Sequence, residues 1–346
     1  MADRSPAPRA EPGGPLVSVV ITTYARERLD DVLSLLRSLA NQTYANVEVI
    51  FIGERVRELP ALMAEQAGRE GITNLRVVFN DHPGLSQSRN LGAQLARGEI
   101  VAFVDDDAVA QDTWVAEMVK VFVQYPAAIG VAGAALPLWE DASMSWFPEE
   151  FFWIVSCPVP AWTGVSRLQP VRNAWGINMA FRKEVFEVVR FSETFGVSNR
   201  GKADGMKLGL SGDDTEFCMH LRHVTGRPIL FNPDCKVLHR VRRQRLSSRF
   251  TRRQAFWDGY TKATIGRVLR QYGDGRGRFP LSNELTVFRQ TLLSFVPRVI
   301  RRLFSRPRVA ARQLALATDV LAHFALGYAA ARLSWPGLAL ARRYSR

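Results

Sequence analysis

Cysteine is scarce. Cys157, Cys218 and Cys235 are the only three in 346 residues. Their spacing fits neither a disulfide framework nor a cysteine-rich zinc site, so reduced thiols are expected. Glycine is missing where a phosphate-cradling loop would need it. The stretch TTYARERLDD, directly after the first apolar run, has none, which disfavours nucleotidyl transfer. Residues 1–15 lack any apolar run and are rich in Pro, Gly and Ala, so a disordered start without a signal peptide is expected. Acidic residues are scarce at the other end. Residues 240–346 hold 23 Lys and Arg against 4 Asp and Glu, a surplus of 19 positive charges, while the rest of the chain is net negative by 6. A basic tail on an acidic body calls for a polyanionic partner, either nucleic acid or an anionic membrane surface. The competing reading, a basic nucleic-acid-binding protein, finds no recognition motif and is opposed by the acidic body.

What is present is an ordinary globular composition, 47% hydrophobic and 23% charged, enough for one large domain with an appendage. Short β-branched runs at 17–22, 47–52, 75–79, 100–104 and 129–132 read as buried strands. Between them, apolar spacing predicts helices at 29–40, 59–67, 86–96 and 113–123. This alternation implies an α/β fold with a mostly parallel sheet and helices on both faces. Residues 136–173 break the pattern and read as an aromatic-rich irregular insertion. Helices are predicted again at 183–189 and 214–224, and strands at 228–232 and 235–238. The expected division is a disordered start at 1–15, a main α/β domain at 16–239 and a basic, amphipathic helical tail at 240–346.

The stretch EIVAFVDDDAV places Asp105, Asp106 and Asp107 at the end of a buried strand. In open α/β sheets ligands bind beyond such ends. Hard oxygen donors there suit Mg²⁺ or Mn²⁺, which completes its shell with substrate phosphates. The same residues would also suit a solvated acidic turn, so the other strand ends matter. Thr22, Thr23 and Tyr24 close the first strand with small hydroxyls and an aromatic ring, fit for a base pocket or for a plain loop with a helix cap. Arg89 and Asn90 lie on the first turns of the helix at 86–96, immediately before the aspartate strand, where Arg89 can reach a nucleotide or an aspartate. Asp213 and Asp214 can serve as an acid–base pair or simply cap a helix.

Taken in order, SVVITTYARE, GLSQSRNLGAQLARGEIVAFVDDDA, GINMAFRKEVF, GDDTEF and the single His239 after the last strands resemble the family 2 glycosyltransferases over residues 17–239. The resemblance implies an inverting enzyme of the GT-A (Rossmann-like) fold. It implies a nucleotide-sugar donor bound by Asp105 and Asp106, a metal held by Asp107 and His239, and Asp214 as base beside Asp213. It also places Asn178 at the donor sugar. The family's aspartate-rich turn after the second strand is replaced here by Gly53-Glu54-Arg55, so the uridine reading rests on Glu54. FFWIVSCPVP together with VRNAWGINMAF looks like the branch acting on polyprenyl- or dolichyl-phosphate-linked sugars, in which glucuronosyl transfer is known.

Inverting transfer needs charge neutralisation on the leaving diphosphate, a proton acceptor for the attacking hydroxyl, and alignment of the two. Arg245 and Lys262 are the candidates for closing over the diphosphate. Trp153, Trp162 and Trp175 are candidates for stacking on a sugar or an isoprene. The run 314–331 is apolar but interrupted by Asp319 and His323, so interfacial amphipathic helices are expected rather than a span. The expected partners are thus a nucleotide sugar, a glycan or polyprenyl-phosphate-linked acceptor and an anionic membrane surface, with no nucleic acid. The expected location is cytoplasmic, peripheral on the inner face of the cell membrane.

Overall fold

A computed structural model describes residues 13–158, 167–193, 212–271 and 282–333. Nine strands form one sheet. β1 (Val17–Thr23), β2 (Val47–Glu54), β3 (Leu75–Asn80) and β4 (Ile100–Asp105) pair in parallel in the order β3-β2-β1-β4. Their crossovers carry α1 (Leu29–Ala40), α2 (Leu59–Arg69) and α3 (Leu85–Leu95). β1 and β2 are buried on both faces, which is why they read as continuous apolar runs rather than alternating ones.

Beyond β4 the sheet becomes mixed. β5 (Ala108–Ala110) precedes α4 (Trp114–Gln124), and β6 (Gly130–Trp139) follows it. β8 (Asn178–Arg182) then inserts antiparallel between β4 and β6. β9 (Ile229–Val241) lies parallel to β6 and antiparallel to β5 and to the short β7 (Gln169–Val171). The two strands predicted at 228–232 and 235–238 are therefore one strand. The register shifts opposite Gly133 and Ala134, and Asn232 Oδ1 accepts from the Asp234 amide at 3.0 Å. A bulge there absorbs Pro233, which has no N–H to give a ladder. The helix predicted at 183–189 shrinks to one turn, Val185–Val188, because Val189 is extended and buried in the core.

Apolar side chains pack on both faces of the sheet. One face holds Leu35, Trp114 and Met118. The other holds Phe103, Phe191 and Phe217, with the latter two rings stacked at 4.2 Å. The expected insertion at 136–173 contains two 3-10 segments, Ala142–Trp146 and Glu149–Val155. After α5 (Asp213–Thr225) and β9 come three long helices, α6 (Ser248–Gln271), α7 (Ser282–Ser305) and α8 (Pro307–Arg332). α6 and α8 touch backbone to backbone. A Cβ on Gly259 would lie 2.1 Å from Phe324 O, and one on Gly327 would lie 1.9 Å from Phe256 O.

Candidate active site

Thr22 of β1 lies beside Asp105 of β4 in the parallel register. Hydroxyls and carboxylates thus share the carboxyl edge of the sheet, where α/β ligands bind. The chain turns at Asp106 and Asp107 into β5, whose Ala108 pairs with His239 of β9. That antiparallel pairing carries a histidine from far along the chain to the aspartates.

Asp107 is the centre of the cluster. Its Oδ1 lies 3.1 Å from His239 Nε2, and its Oδ2 accepts from Arg245 Nη2 at 2.9 Å and Arg28 Nη1 at 3.2 Å. Burial alone would raise this carboxyl, but His239, Arg245 and Arg28 outweigh it and hold Asp107 well below the usual carboxylate range. Asp106 goes the other way. It accepts from Thr23 Oγ1 at 2.5 Å and pairs with Arg28, while burial pushes it up to about 7 against the pull of Arg28. Asp106 therefore ties the β4–β5 turn to β1, and Asp107 remains the anion. The Asp105 carboxylate is 35% exposed and faces the cleft.

Arg245 bridges the cluster, with Nη1 at 3.1 Å from His239 Nε2. Nε2 therefore faces both a donor, the Arg245 guanidinium, and an acceptor, Asp107 Oδ1, and the ring tautomer decides which of the two it bonds. Nδ1 in turn lies 3.5 Å from Cys157 Sγ, so a buried thiol orients the imidazole. A ring nitrogen and a carboxylate oxygen 3.1 Å apart match the spacing of neighbouring ligands of an octahedral ion with bonds of about 2.0–2.1 Å, which stand about 3 Å apart. Imidazole and carboxylate both suit Mn²⁺, and carboxylate suits Mg²⁺. Among the described residues no three His, Cys, Asp or Glu side chains converge as a full cage. The arrangement fits an ion that takes its remaining ligands from water and substrate phosphates.

A cavity of about 270 Å³ opens over this cluster, lined by Thr22, Tyr24, Glu54 and Asp105 to Asp107 among others. The guanidiniums of Arg28 and Arg55 both approach the Tyr24 ring, at 5.4 and 5.5 Å from its centroid. Glu54 Oε2 accepts from the Gly84 amide at 2.7 Å and Ser88 Oγ at 2.8 Å. It thereby anchors the start of α3, where an anion is favoured.

A second cavity of about 480 Å³ shares Arg28, Asp105, Asp107, Ser156 and Arg245 with the first and extends to Asp213 and Asp214. Gly212 opens α5 at φ +102, a left-handed conformation suited to glycine. Asp213 is buried and accepts from Arg89 Nη1 at 2.6 Å, while Arg89 Nη2 reaches Asp105 Oδ1 at 3.4 Å. Burial raises the Asp213 carboxyl, and Arg89 restrains the rise. The guanidinium passes so close to Gly176 that a Cβ there would meet Nη2 at 2.1 Å. Asp214 Oδ2 accepts from the Gly176 amide at 2.9 Å and Oδ1 from the Thr215 amide at 2.6 Å. The outer wall comes from the tail: Phe250, Thr261 and Lys262 of α6 line this cavity.

The cleft thus gathers Thr22, Tyr24, Glu54, Arg89, Asp105, Asp106, Asp107, Asp213, Asp214, His239 and Arg245. Asn178 is a correction. It is fully buried, its Oδ1 accepts from Trp114 Nε1 at 2.8 Å, and its Nδ2 donates to Ala134 O and Cys235 O, both at 2.9 Å. A side chain so engaged ties β8 to its neighbours and does not face the cleft. Asn90 likewise clasps Phe191 through both amide atoms. Trp153 and Trp175 line the larger cavity, whereas Trp162 lies outside the described residues. Sequence reasoning missed Arg28, Cys157 and Ser156. Only Arg28, close behind the first strand, offered a signal, as a cation near the expected phosphates.

A family model described as glycosyl transferase family 2 matches residues 18–190. A glucosyl-dolichyl phosphate glucuronosyltransferase of Haloferax volcanii is 28% identical over 264 residues, 76% of this chain and 81% of that protein. The succinoglycan biosynthesis protein ExoM of Rhizobium meliloti is 22% identical, over 75% of this chain and 77% of that one. Among solved structures, the mannosyltransferase PcManGT of Pyrobaculum calidifontis, in complex with GDP-Man and Mn²⁺, superposes with a TM-score of 0.56. It covers 96% of this chain and 86% of its own at 18% identity, a likeness of GT-A fold.

Proposed function

The chain belongs to glycosyl transferase family 2, and from that premise we propose that it is an inverting, metal-dependent glycosyltransferase. It would move a sugar from a UDP-sugar to a hydroxyl of a lipid-linked saccharide or surface-polysaccharide precursor. The observation that carries this reading is the continuity of two half-sites. The Asp107–His239–Arg245 cluster opens through Asp105 into the cavity that holds Asp214.

In this reading Tyr24, Thr22 and Glu54 receive the nucleoside, and Asp105 takes the ribose. Asp107 and His239 would hold Mg²⁺ or Mn²⁺, which neutralises charge developing on the leaving diphosphate. Arg245 and Arg28, already beside Asp107, add fixed positive charge at the same place. Asp214 accepts the proton of the attacking hydroxyl. Arg89 holds Asp213 and Asp105 in one frame, so donor and acceptor sides keep their relative position. The glucuronosyltransferase relative supports a lipid-linked acceptor, and Trp153 and Trp175 provide aromatic surface for it. The basic tail then keeps the enzyme peripheral on the inner face of the cell membrane.

Asp107→Ala tests the donor side. It removes a buried carboxylate from the turn after β4, and its partners Arg28 and Arg245 keep 27% and 21% of their side chains in contact with solvent, so the fold should survive, as circular dichroism will check. Calorimetry with UDP is expected to show Mn²⁺-dependent binding in the parent and its loss by about 10²-fold or more in the variant. Unchanged Mn²⁺-dependent affinity would remove Asp107 from the site.

A further inference from the structure

We propose that the outer face of α7 is a docking surface for an anionic lipid bilayer. This rests on the reading of the chain as a membrane-associated transferase, and it moves the point of contact away from the longer apolar run in α8.

α7 is apolar on two sides. On one side Phe295 and Val299 are buried in the cluster that joins the tail helices to residues 144–157. On the other side Leu293 is 68% exposed, Ile300 51% and Phe304 88%, with Leu292, Val296 and Leu303 all above 40%. At about 100° per residue these six fall within an arc of about 120°, one continuous stripe roughly 18 Å long. A helix lying on a water-facing surface normally turns charge outward. Here six large apolar side chains are turned outward instead, and a patch of that kind marks an interaction surface.

The charge around the stripe identifies the partner. Residues 285–318 contain no Asp or Glu and seven arginines. Three of these are engaged within the protein: Arg298 pairs with Glu149 and Glu150, Arg302 bonds Gln313, and Arg312 stacks over Trp146. Arg301, Arg306 and Arg308 are exposed around the corner where α7 meets α8, beside Phe304. An apolar stripe with a basic rim suits acyl chains under anionic headgroups. A second copy suits it poorly, because a twofold contact through this face would bring like arginines together.

α8 is the rival surface. It is long and apolar enough to cross a membrane by length and composition. Yet its backbone is seated on α6 at Gly259 and Gly327, and α6 lines the larger cavity through Phe250, Thr261 and Lys262. Inserting α8 into a bilayer would strip it from α6 and take apart the cavity wall. α7 can meet the bilayer with nothing disassembled. Trp153, which lines the larger cavity and packs edge-on against Phe324 of α8, belongs to the same apolar cluster as the buried face of α7.

The test uses the full chain carrying Ile300→Glu and Phe304→Glu together, against Leu326→Glu on α8. All three positions are exposed, so folding should hold, as circular dichroism will show. Flotation with phosphatidylglycerol–phosphatidylcholine vesicles is expected to fall by about tenfold or more for the α7 variant. Leu326→Glu should float like the parent, and high salt or vesicles of phosphatidylcholine alone should weaken binding of the parent. An α7 variant that floats like the parent, a loss confined to Leu326→Glu, or a parental dimer that the α7 variant dissociates would each overturn the proposal. Mn²⁺-dependent UDP binding, measured on the same proteins, separates this from the enzymatic reading. If the parent fails to bind UDP the enzymatic reading fails, whatever the vesicles show.

Discussion

Asp214→Asn is expected to lower sugar transfer by about 10²-fold or more while leaving donor binding near the parental value. The substitution keeps the shape of the side chain and removes its capacity to take a proton. One oxygen remains to accept from the Gly176 or Thr215 amide, the two bonds that now position the carboxylate. The start of α5 should therefore hold its place. The loss should appear in turnover, since proton removal is an event of the transition state rather than of binding. Near-parental turnover would instead show that Asp214 is not the base. It would favour an acceptor that arrives already ionised, such as a phosphate oxygen.

Arg89→Leu should be costly to stability as well as to activity. Arg89 is 4% exposed and is paired with buried Asp213. Removing one partner of a buried pair leaves an uncompensated charge, which costs about 3–5 kcal/mol, a large share of a typical folding free energy. The pH dependence distinguishes this from simple loss of packing. Burial already raises the Asp213 carboxyl above its unfolded value, and Arg89 opposes the rise, so without Arg89 the folded pKa climbs further. Below the unfolded carboxylate pKa both states are protonated and the extra penalty is absent. It grows as the pH rises from there through the raised folded pKa. Denaturant titrations should thus show the smallest deficit in acid and the largest near neutrality. Adding Asp213→Asn to Arg89→Leu should recover much of the stability. A deficit independent of pH, with no recovery in the double variant, would mean that the pair contributes only packing.

These two residues also show where sequence could and could not be read. The four parallel strands were legible because burial on both faces leaves β-branched runs, and the aspartates stood out because they end one of those runs. Their neighbours were harder to see. β8 runs antiparallel to β4, and β5 is three residues long and pairs with β9. No local pattern encodes a pairing across such sequence distance. The same distance hid the Arg89–Asp213 pair, whose members are 124 positions apart. Asn178 was placed at the donor sugar by the family resemblance alone, which carries no information on what its side chain bonds. It is in fact satisfied by an indole and two carbonyls from three separate segments. The tail was legible in charge but not in placement. Its arginines were plain, yet nothing in the sequence showed that α6 closes the larger cavity or that α7 turns its apolar stripe outward.

The most direct test of the central claim is a donor survey on the purified full chain. UDP- and GDP-sugars would be offered with Mn²⁺, with Mg²⁺ and with a chelator, and release of the nucleoside diphosphate measured in the presence of membrane lipid extract. The account predicts that at least one nucleotide sugar, carried by UDP, is consumed only with a divalent ion, that its sugar appears in the lipid fraction, and that Asp107→Ala abolishes both. Transfer that proceeds undiminished in chelator and in Asp107→Ala would contradict the account.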